Sequence, residues 1–278
     1  RSRDIPEVRD GMKRDLTTRD GIALSLHQTG SGRAMVFQHG LCGDANQPAQ
    51  VFPSDTGYRC LTLECRGHGT SQAGPVDRLS IATFADDIAE TIVAADEGPV
   101  VVGGISMGAA IALRLAVVRP ELVSALVLAR PAWVADAAPA NMAPNALVGA
   151  LLRDHPADTA RALFEDTATA TRLARVAPDN LASLRGFFAR KPIAVTAELL
   201  CRISADGPGV SEAAIAGIQV PALVIGHAND FVHPLDHAHR LARLIPNARL
   251  AEITPKATDA SAYQGDFRAA LATFLKVL

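Results

Sequence analysis

Short apolar runs alternate with longer segments of helical periodicity along most of the chain. Runs rich in β-branched residues and bounded by turn residues predict buried strands. Six such runs cover residues 34–38, 59–64, 99–102, 124–129, 220–226 and 249–253. Helical patterns cover residues 79–95, 107–116, 235–244 and 262–278. This alternation predicts an α/β protein whose mostly parallel sheet is covered by helices on both faces.

Two segments depart from the alternation. Near the start, residues 13–17 and 22–28 flank Arg19-Asp20-Gly21, and an Asp-Gly turn between alternating runs predicts a β-hairpin. From residue 132 to 217 the sequence is Ala-rich and helical, without a strand pattern. We therefore predict a first part of the α/β core at residues 1–131, an inserted helical cap at 132–217, and the second part of the core at 218–278.

The strand at residues 99–102 leads into a serine flanked by glycines. Gly104 and Gly108 stand two residues before and two residues after Ser106, and a helical pattern follows. This is the G-x-S-x-G pattern of a nucleophile elbow, in which a sharp strand-to-helix turn exposes the serine hydroxyl. The same five residues also occur in ordinary Gly-rich turns, so the neighbouring strand ends must support the interpretation.

Unusual residues also stand where other predicted strands end. His39-Gly40-Leu41 follows the strand at 34–38, and Arg66-Gly67-His68-Gly69 follows the strand at 59–64. Asp230 comes shortly after the strand at 220–226. Sites in open α/β sheets lie beyond the carboxyl ends of the strands, so we expect these residues to lie near Ser106. The alternative for Asp230 is a turn residue that caps the following helix.

Taken together, four motifs resemble the α/β-hydrolase superfamily, most closely its small esterases, lactonases and C–C or C–N hydrolases with a helical cap. The motifs are residues 38–41, residues 64–71, the Ser106 elbow and residues 224–234. The resemblance covers nearly the whole chain and implies the α/β-hydrolase fold. It also implies that Ser106 is the nucleophile, that Asp230 orients a base, and that the backbone N–H groups of Leu41 and Met107 form the oxyanion hole.

The catalytic base is where the chain departs from this family. The family places a histidine after the last strand, in a turn resembling Pro-Gly-x-Gly-His, whereas residues 254–263 place Asp259 at that position. No histidine follows His239. A carboxylate accepts the serine proton only with a raised pKa, which coupling between Asp259 and Asp230 would provide. His233, close to Asp230, is the substitute candidate.

Other charged residues have alternative interpretations. Arg130 follows the strand at 124–129 and is a candidate to bind a substrate carboxylate. The cap holds three further candidates, although solvated positions on amphipathic helices fit each of them better: Arg153, Arg185 and Arg190. His237 and His239 point to different faces of a helix at their i, i+2 spacing, so we predict no metal site.

Composition narrows the class of protein. The 278 residues are 49% hydrophobic and 20% charged, which suits one large domain with a sizeable core. The net charge of −2 favours neither nucleic acid nor an anionic membrane as a partner. Residues 1–14 are highly charged and lack the apolar segment of a signal peptide. The four cysteines form no C-x-x-C pair, so we predict a reduced, cytoplasmic protein.

Two functions fit these patterns. The first is hydrolysis of an ester, lactone or related acyl bond of a small molecule through Ser106, with an atypical or missing histidine base. The alternative is a catalytically impaired protein of the same fold that serves as a binding or regulatory module. We expect no cofactor in either case, and the sequence does not indicate the oligomeric state.

Overall fold

A computed structural model describes residues 11–95 and 98–278. Residues 1–10, which make up most of the charged segment in which no signal peptide is predicted, lie outside the described residues. Within the described part the chain forms eight strands: β1 (Met12–Thr17), β2 (Ala23–Gly30), β3 (Arg33–Gln38), β4 (Tyr58–Leu63), β5 (Val100–Ile105), β6 (Val123–Ala129), β7 (Ala222–Gly226) and β8 (Ala248–Glu252).

The described part of the chain also forms eleven α-helices. They are α1 (Asn46–Val51), α2 (Ile81–Ala95), α3 (Met107–Val118), α4 (Ala143–Asp154), α5 (Ala157–Glu165), α6 (Ala168–Val176), α7 (Pro178–Phe187), α8 (Ile193–Ala205), α9 (Glu212–Ala216), α10 (Leu235–Leu244) and α11 (Ala260–Leu275). No helix in the described part of the chain is long and apolar enough to cross a membrane.

All eight strands of the described chain belong to one sheet, in the order β1-β2-β4-β3-β5-β6-β7-β8. The predicted hairpin of β1 and β2 is antiparallel, and β2 pairs antiparallel with β4. Every other neighbouring pair is parallel. The predicted fold class is therefore confirmed, and the carboxyl ends of β3 to β8 lie at one edge of the sheet.

Successive residues of the central strands face opposite sides of the sheet, and both sides are buried. Val100 and Val102 pack with α2, α3 and α10 on one side. Val101 packs on the other side with Phe267 of α11. Two apolar faces explain why these strands are continuous hydrophobic runs rather than alternating ones.

Helices α4 to α8 follow β6 and share an apolar cluster that includes Phe164, Leu181 and Leu200. Two residues of α8, Leu199 and Ile203, pack into the main core, so this helix joins the two clusters. Ile215 of α9 also packs into the main core. The predicted division at residues 131/132 and 217/218 stays a prediction. Although α9 falls within the predicted cap, it packs into the main core.

An ion-pair network fastens the loop after β4 to the hairpin and to α2. Arg66 is buried, and its guanidinium donates to both carboxylate oxygens of Asp87 at 2.8 Å. It also donates to both oxygens of Asp20 in the β1–β2 turn, at 2.6 and 2.8 Å. The Arg66 motif therefore holds the sheet edge together, beside the expected site.

Replacing Arg66 with methionine is expected to lower the free energy of unfolding by about 3–5 kcal/mol, because it leaves the Asp87 carboxylate buried without its partner. Urea denaturation measures the loss. The control is Arg119→Met, which breaks the exposed Arg119–Glu121 pair and should cost at most about 1 kcal/mol. Equal losses for the two variants would contradict the structural role given to Arg66.

Candidate active site

Ser106 lies in the turn between β5 and α3 with a strained backbone. Its φ of 58° and ψ of −111° fall in the left-handed region that non-glycine residues rarely adopt. The turn is possible because Gly104 and Gly108 let the backbone of α3 come close to β5 and β3. A Cβ on Gly104 would lie 2.5 Å from the carbonyl carbon of Gly108, and a Cβ on Gly108 would lie 2.5 Å from the Gln38 carbonyl oxygen.

Two backbone N–H groups near Ser106 have no hydrogen-bond partner among the described residues. Met107 is the first residue of α3, where an N–H has no partner within the helix. Neither Met107 N nor Leu41 N donates a hydrogen bond to any described residue. Gly40 N is different, because it donates to Oε1 of Gln47 at 2.6 Å. Leu41 and Met107 are the two positions predicted for an oxyanion hole.

Asp230 lies in the loop between β7 and α10 and is almost fully buried. Its Oδ2 accepts from Nε and Nη2 of Arg130, at 3.0 and 2.6 Å. Its Oδ1 accepts from the backbone N–H of His233 at 3.0 Å. Burial alone would raise the pKa of Asp230, but His233 and Arg130 hold that pKa well below its usual value. The side chain is thus a fixed, ionised carboxylate.

Nδ1 of His233 lies 2.9 Å from each carboxylate oxygen of Asp230. A carboxylate only accepts, so Nδ1 carries the ring proton and Nε2 is left with its lone pair. The nearby Nη2 of Arg130, 3.2 Å from Nδ1, is then a neighbouring charge rather than a donor to that nitrogen. Burial and Arg130 lower the pKa of His233 against the opposing charge of Asp230, so the imidazole is neutral at pH 7.

Ser106 and His233 line the same cavity, whose volume is about 110 Å³. The wall also includes Leu41 and Arg130. The remaining lining residues come from the loops and from helices that include α4 and α7: Gly40, Gln47, Ile105, Met142, Asn145, Asn180, Ser183, Leu184, Phe187, Val232 and Lys256. The ends of β3, β5, β6 and β7 therefore converge on one cavity, and α4 and α7 form part of its wall.

Asp259 is exposed and is not among the residues that line this cavity. It is the N-cap of α11, and its Oδ1 accepts from the backbone N–H groups of Ser261 and Ala262, both at 2.9 Å. The structure thus brings together Ser106, Asp230, Leu41 and Met107 but not Asp259. Capping the first turn of α11 is sufficient to explain a carboxylate at this position.

Two asparagines hold the loop that carries Asp230 and His233. Oδ1 of Asn180, near the start of α7, accepts from the N–H groups of Phe231 and Val232 at 2.7 and 3.1 Å. Nδ2 of Asn141 donates to the Val232 carbonyl at 2.6 Å. Sequence reasoning did not single out these residues. Their one signal is the placement of asparagine in segments that are otherwise apolar and helical.

Several polar residues near the strand ends have structural roles. Nδ1 of His39 lies 2.8 Å from the Gly40 carbonyl, and its Nε2 accepts from Cys65 N. Nδ1 of His68 lies 3.0 Å from the Arg66 carbonyl. Both imidazoles are fully buried, which lowers their pKa and keeps them neutral. They brace the loops behind the cavity.

The arginine candidates for a substrate carboxylate are engaged elsewhere. Arg130 lines the cavity, but its charge is paired with Asp230. Arg185 and Arg153 are exposed and pair with Glu165 and Asp154. Arg190 lies between α7 and α8 and donates to the carbonyl groups of Cys42 and Gly67, in the loops after β3 and β4.

Known proteins share this architecture over nearly the whole chain. A protein of Mycobacterium tuberculosis (strain CDC 1551 / Oshkosh), provisionally named non-heme bromoperoxidase BpoC, is 34% identical over 239 residues, which are 84% of this chain and 89% of that protein. The crystal structure of BpoC from strain H37Rv has a TM-score of 0.65 at 26% identity, and the match covers 91% of this chain and 96% of that one.

More distant solved structures share the fold. An esterase from Exiguobacterium antarcticum matches with a TM-score of 0.73 at 22% identity, covering 95% of this chain and 100% of that one. The enol-lactonase from Burkholderia xenovorans LB400 matches with a TM-score of 0.68 at 21% identity, covering 93% and 99%. The family model described as alpha/beta hydrolase fold matches residues 33–257. Together with the sheet order and the strand-end cavity, this match shows that the chain belongs to the α/β-hydrolase family.

Proposed function

We propose that the chain is a serine hydrolase that cleaves an ester, lactone or related acyl bond of a small molecule, with Ser106 as nucleophile and His233 as base. One observation carries the proposal. Ser106 and His233 line one cavity, and Nδ1 of His233 is bound to Asp230, so that Nε2 is the ring nitrogen left to accept a proton. This is the division of roles in a Ser–His–Asp triad, which is defined by geometry rather than by order along the chain.

In the proposed reaction, Oγ of Ser106 attacks the acyl carbon while Nε2 of His233 accepts the hydroxyl proton. The oxygen that becomes negative accepts from the N–H groups of Leu41 and Met107. His233 then gives the proton to the leaving group, and an ester to Ser106 remains. Water cleaves this ester by the same steps, with His233 again as base. Asp230 keeps the imidazole oriented and stabilises its charged form.

The size of the cavity favours a compact substrate. Its volume of about 110 Å³ lies below the roughly 300–1,000 Å³ of pockets that take drug-sized ligands. Because a core wall is close-packed, each further methylene of a long acyl chain would have to displace side chains. The words esterase and enol-lactonase in the names of two structural neighbours support a reaction at an acyl bond.

A fluorophosphonate probe is expected to label Ser106 covalently and to leave a Ser106→Ala variant unlabelled, as measured by intact-protein mass spectrometry. Only neutral His233 accepts the serine proton, so the labelling rate should rise with pH and then reach a plateau. Because the pKa of His233 is lowered from 6.5, the half-maximal rate should fall below pH 6.5.

The outcome of labelling separates the candidate functions. Failure to label at neutral and alkaline pH would contradict the proposal and favour a binding or regulatory protein built on the same fold. A half-maximal rate above pH 6.5 would contradict the assignment of the buried, neutral His233 as the base, since its environment lowers that pKa.

A further inference from the structure

The wall of the cavity at Ser106 is polar, but its buried charge is balanced. Arg130 lines the cavity, and two carboxylates lie against its guanidinium, that of Asp230 at 2.6 Å and that of Asp179 at 3.9 Å. Lys256, the other cation of the wall, is exposed, and no Asp or Glu is among the described lining residues. Inside the cavity, a charged group of a ligand would find no free counter-charge, so a neutral polar group is favoured.

Asn145 has a polar group that the protein leaves without a partner. This residue of α4 lines the cavity and is only 5% exposed. Its buried Oδ1 accepts no hydrogen bond from any described residue. An acceptor that is buried without a donor costs free energy, so a donor on a ligand in the adjoining cavity would recover that cost.

The other carboxamide and hydroxyl side chains of the wall, apart from the nucleophile, have partners within the protein. Oε1 of Gln47 accepts from a backbone N–H of the loop after β3, and Oδ1 of Asn180 accepts from the loop after β7. Oγ of Ser183 donates to a carbonyl of α7. These side chains hold the protein's own backbone, whereas Oδ1 of Asn145 has no such role among the described residues.

We propose that the substrate carries a hydroxyl group besides the bond that is cleaved, and that this hydroxyl donates to Oδ1 of Asn145. The inference rests on the proposed function and names its substrate class. A carboxylate only accepts and cannot complete Oδ1, and an ammonium group would lack a counter-charge. A hydroxyl both donates and accepts, so it also suits the carboxamide turned by half a rotation. It adds a single heavy atom, which fits a cavity of about 110 Å³ better than an amide does.

The test compares two pairs of methyl esters in which a methyl group replaces the hydroxyl. Methyl glycolate is paired with methyl propanoate, and methyl 3-hydroxypropanoate with methyl butanoate. Release of methanol is followed by ¹H NMR, and each ratio of kcat/KM values is divided by the ratio of the alkaline hydrolysis rates. In at least one pair we expect the wild type to favour the hydroxy ester about tenfold, the effect of one hydrogen bond to a buried acceptor.

Asn145→Leu should bring this corrected ratio close to one, because leucine occupies similar space without an acceptor. Asn145→Ala also lacks the oxygen and gives the same comparison if leucine impairs folding, which circular dichroism measures. The control is Asn247→Leu at an exposed asparagine before β8, which should leave the ratio at its wild-type value. A preference that persists in folded Asn145→Leu or Asn145→Ala would contradict the role of Asn145.

The outcomes separate this inference from the proposed function. Equal corrected kcat/KM values within both pairs would overturn the hydroxyl preference and leave the serine hydrolase in place. Fluorophosphonate labelling of Ser106 without hydrolysis of any of these esters would do the same. Failure of both labelling and hydrolysis would overturn the proposed function as well. A ratio that falls equally in Asn145→Leu and Asn247→Leu would contradict the site, since Asn247 does not line the cavity.

Discussion

Replacing His233 with glutamine is expected to lower kcat/KM for any accepted ester by roughly 10³- to 10⁶-fold. Glutamine keeps a donor near Asp230 but has no nitrogen that accepts the Ser106 proton at neutral pH. Binding should change far less, because the imidazole is one part of a wall built from many residues. Steady-state kinetics with a short-chain nitrophenyl ester would show the loss in kcat.

The matched control is Asp259→Asn. Asparagine is as good an N-cap as aspartate, so the start of α11 should be preserved and kcat/KM should stay within about twofold of wild type. The two variants together decide which residue is the base. A large loss in Asp259→Asn with little change in His233→Gln would return that role to Asp259, as the position of the last loop suggests.

Replacing Asp230 with asparagine is expected to damage both stability and catalysis. The variant leaves the buried Arg130 guanidinium with one nearby carboxylate, that of Asp179 at 3.9 Å, which should cost about 3 kcal/mol of unfolding free energy and lower Tm by roughly 10 °C. It also replaces a carboxylate, which only accepts, with a carboxamide whose NH2 can donate to Nδ1 of His233. The ring proton is then no longer held on Nδ1, and kcat should fall by about 10⁴-fold. Thermal denaturation and kinetics measure the two effects.

A double variant separates these effects. In Asp230→Asn/Arg130→Met both members of the buried pair lose their charge, so most of the lost stability should return. Activity should not return, because His233 still lacks its carboxylate. An unchanged Tm in the single Asp230→Asn variant would contradict the burial and pairing of Arg130. Recovery of activity in the double variant would contradict the role of Asp230.

The fold could be predicted from sequence because its evidence is local. Runs such as 99–102 and 124–129 are apolar throughout, and each one specifies a strand buried on both faces. The order of strand-end motifs then placed Ser106, Asp230, Leu41 and Met107 at one edge of the sheet. The short helix α1 has too few residues for a helical period, and sequence analysis missed it.

The details of the site could not be predicted, because they depend on the course of loops and the orientation of side chains, which the periodicity of the sequence does not encode. Asp259 occupies the expected position along the chain, but whether it faces the cavity or caps α11 depends on the course of a loop. His233 is three residues from Asp230, and only the turn between them brings Nδ1 onto the carboxylate. Asn145 resembles any polar residue of an amphipathic helix until the neighbouring elements are in place.

On the proposed mechanism, acid and base belong to the single turn at residues 230–233. In a triad whose base follows the last strand, two distant loops must be preserved together, and an insertion in either one disables the enzyme. In this chain the evolutionary constraint on acid and base falls on one short turn and its spacing of three residues, so the loop at residues 254–259 need not keep a histidine. Sequence surveys that score activity by a histidine near the C-terminus would therefore count such chains among inactive members of the family.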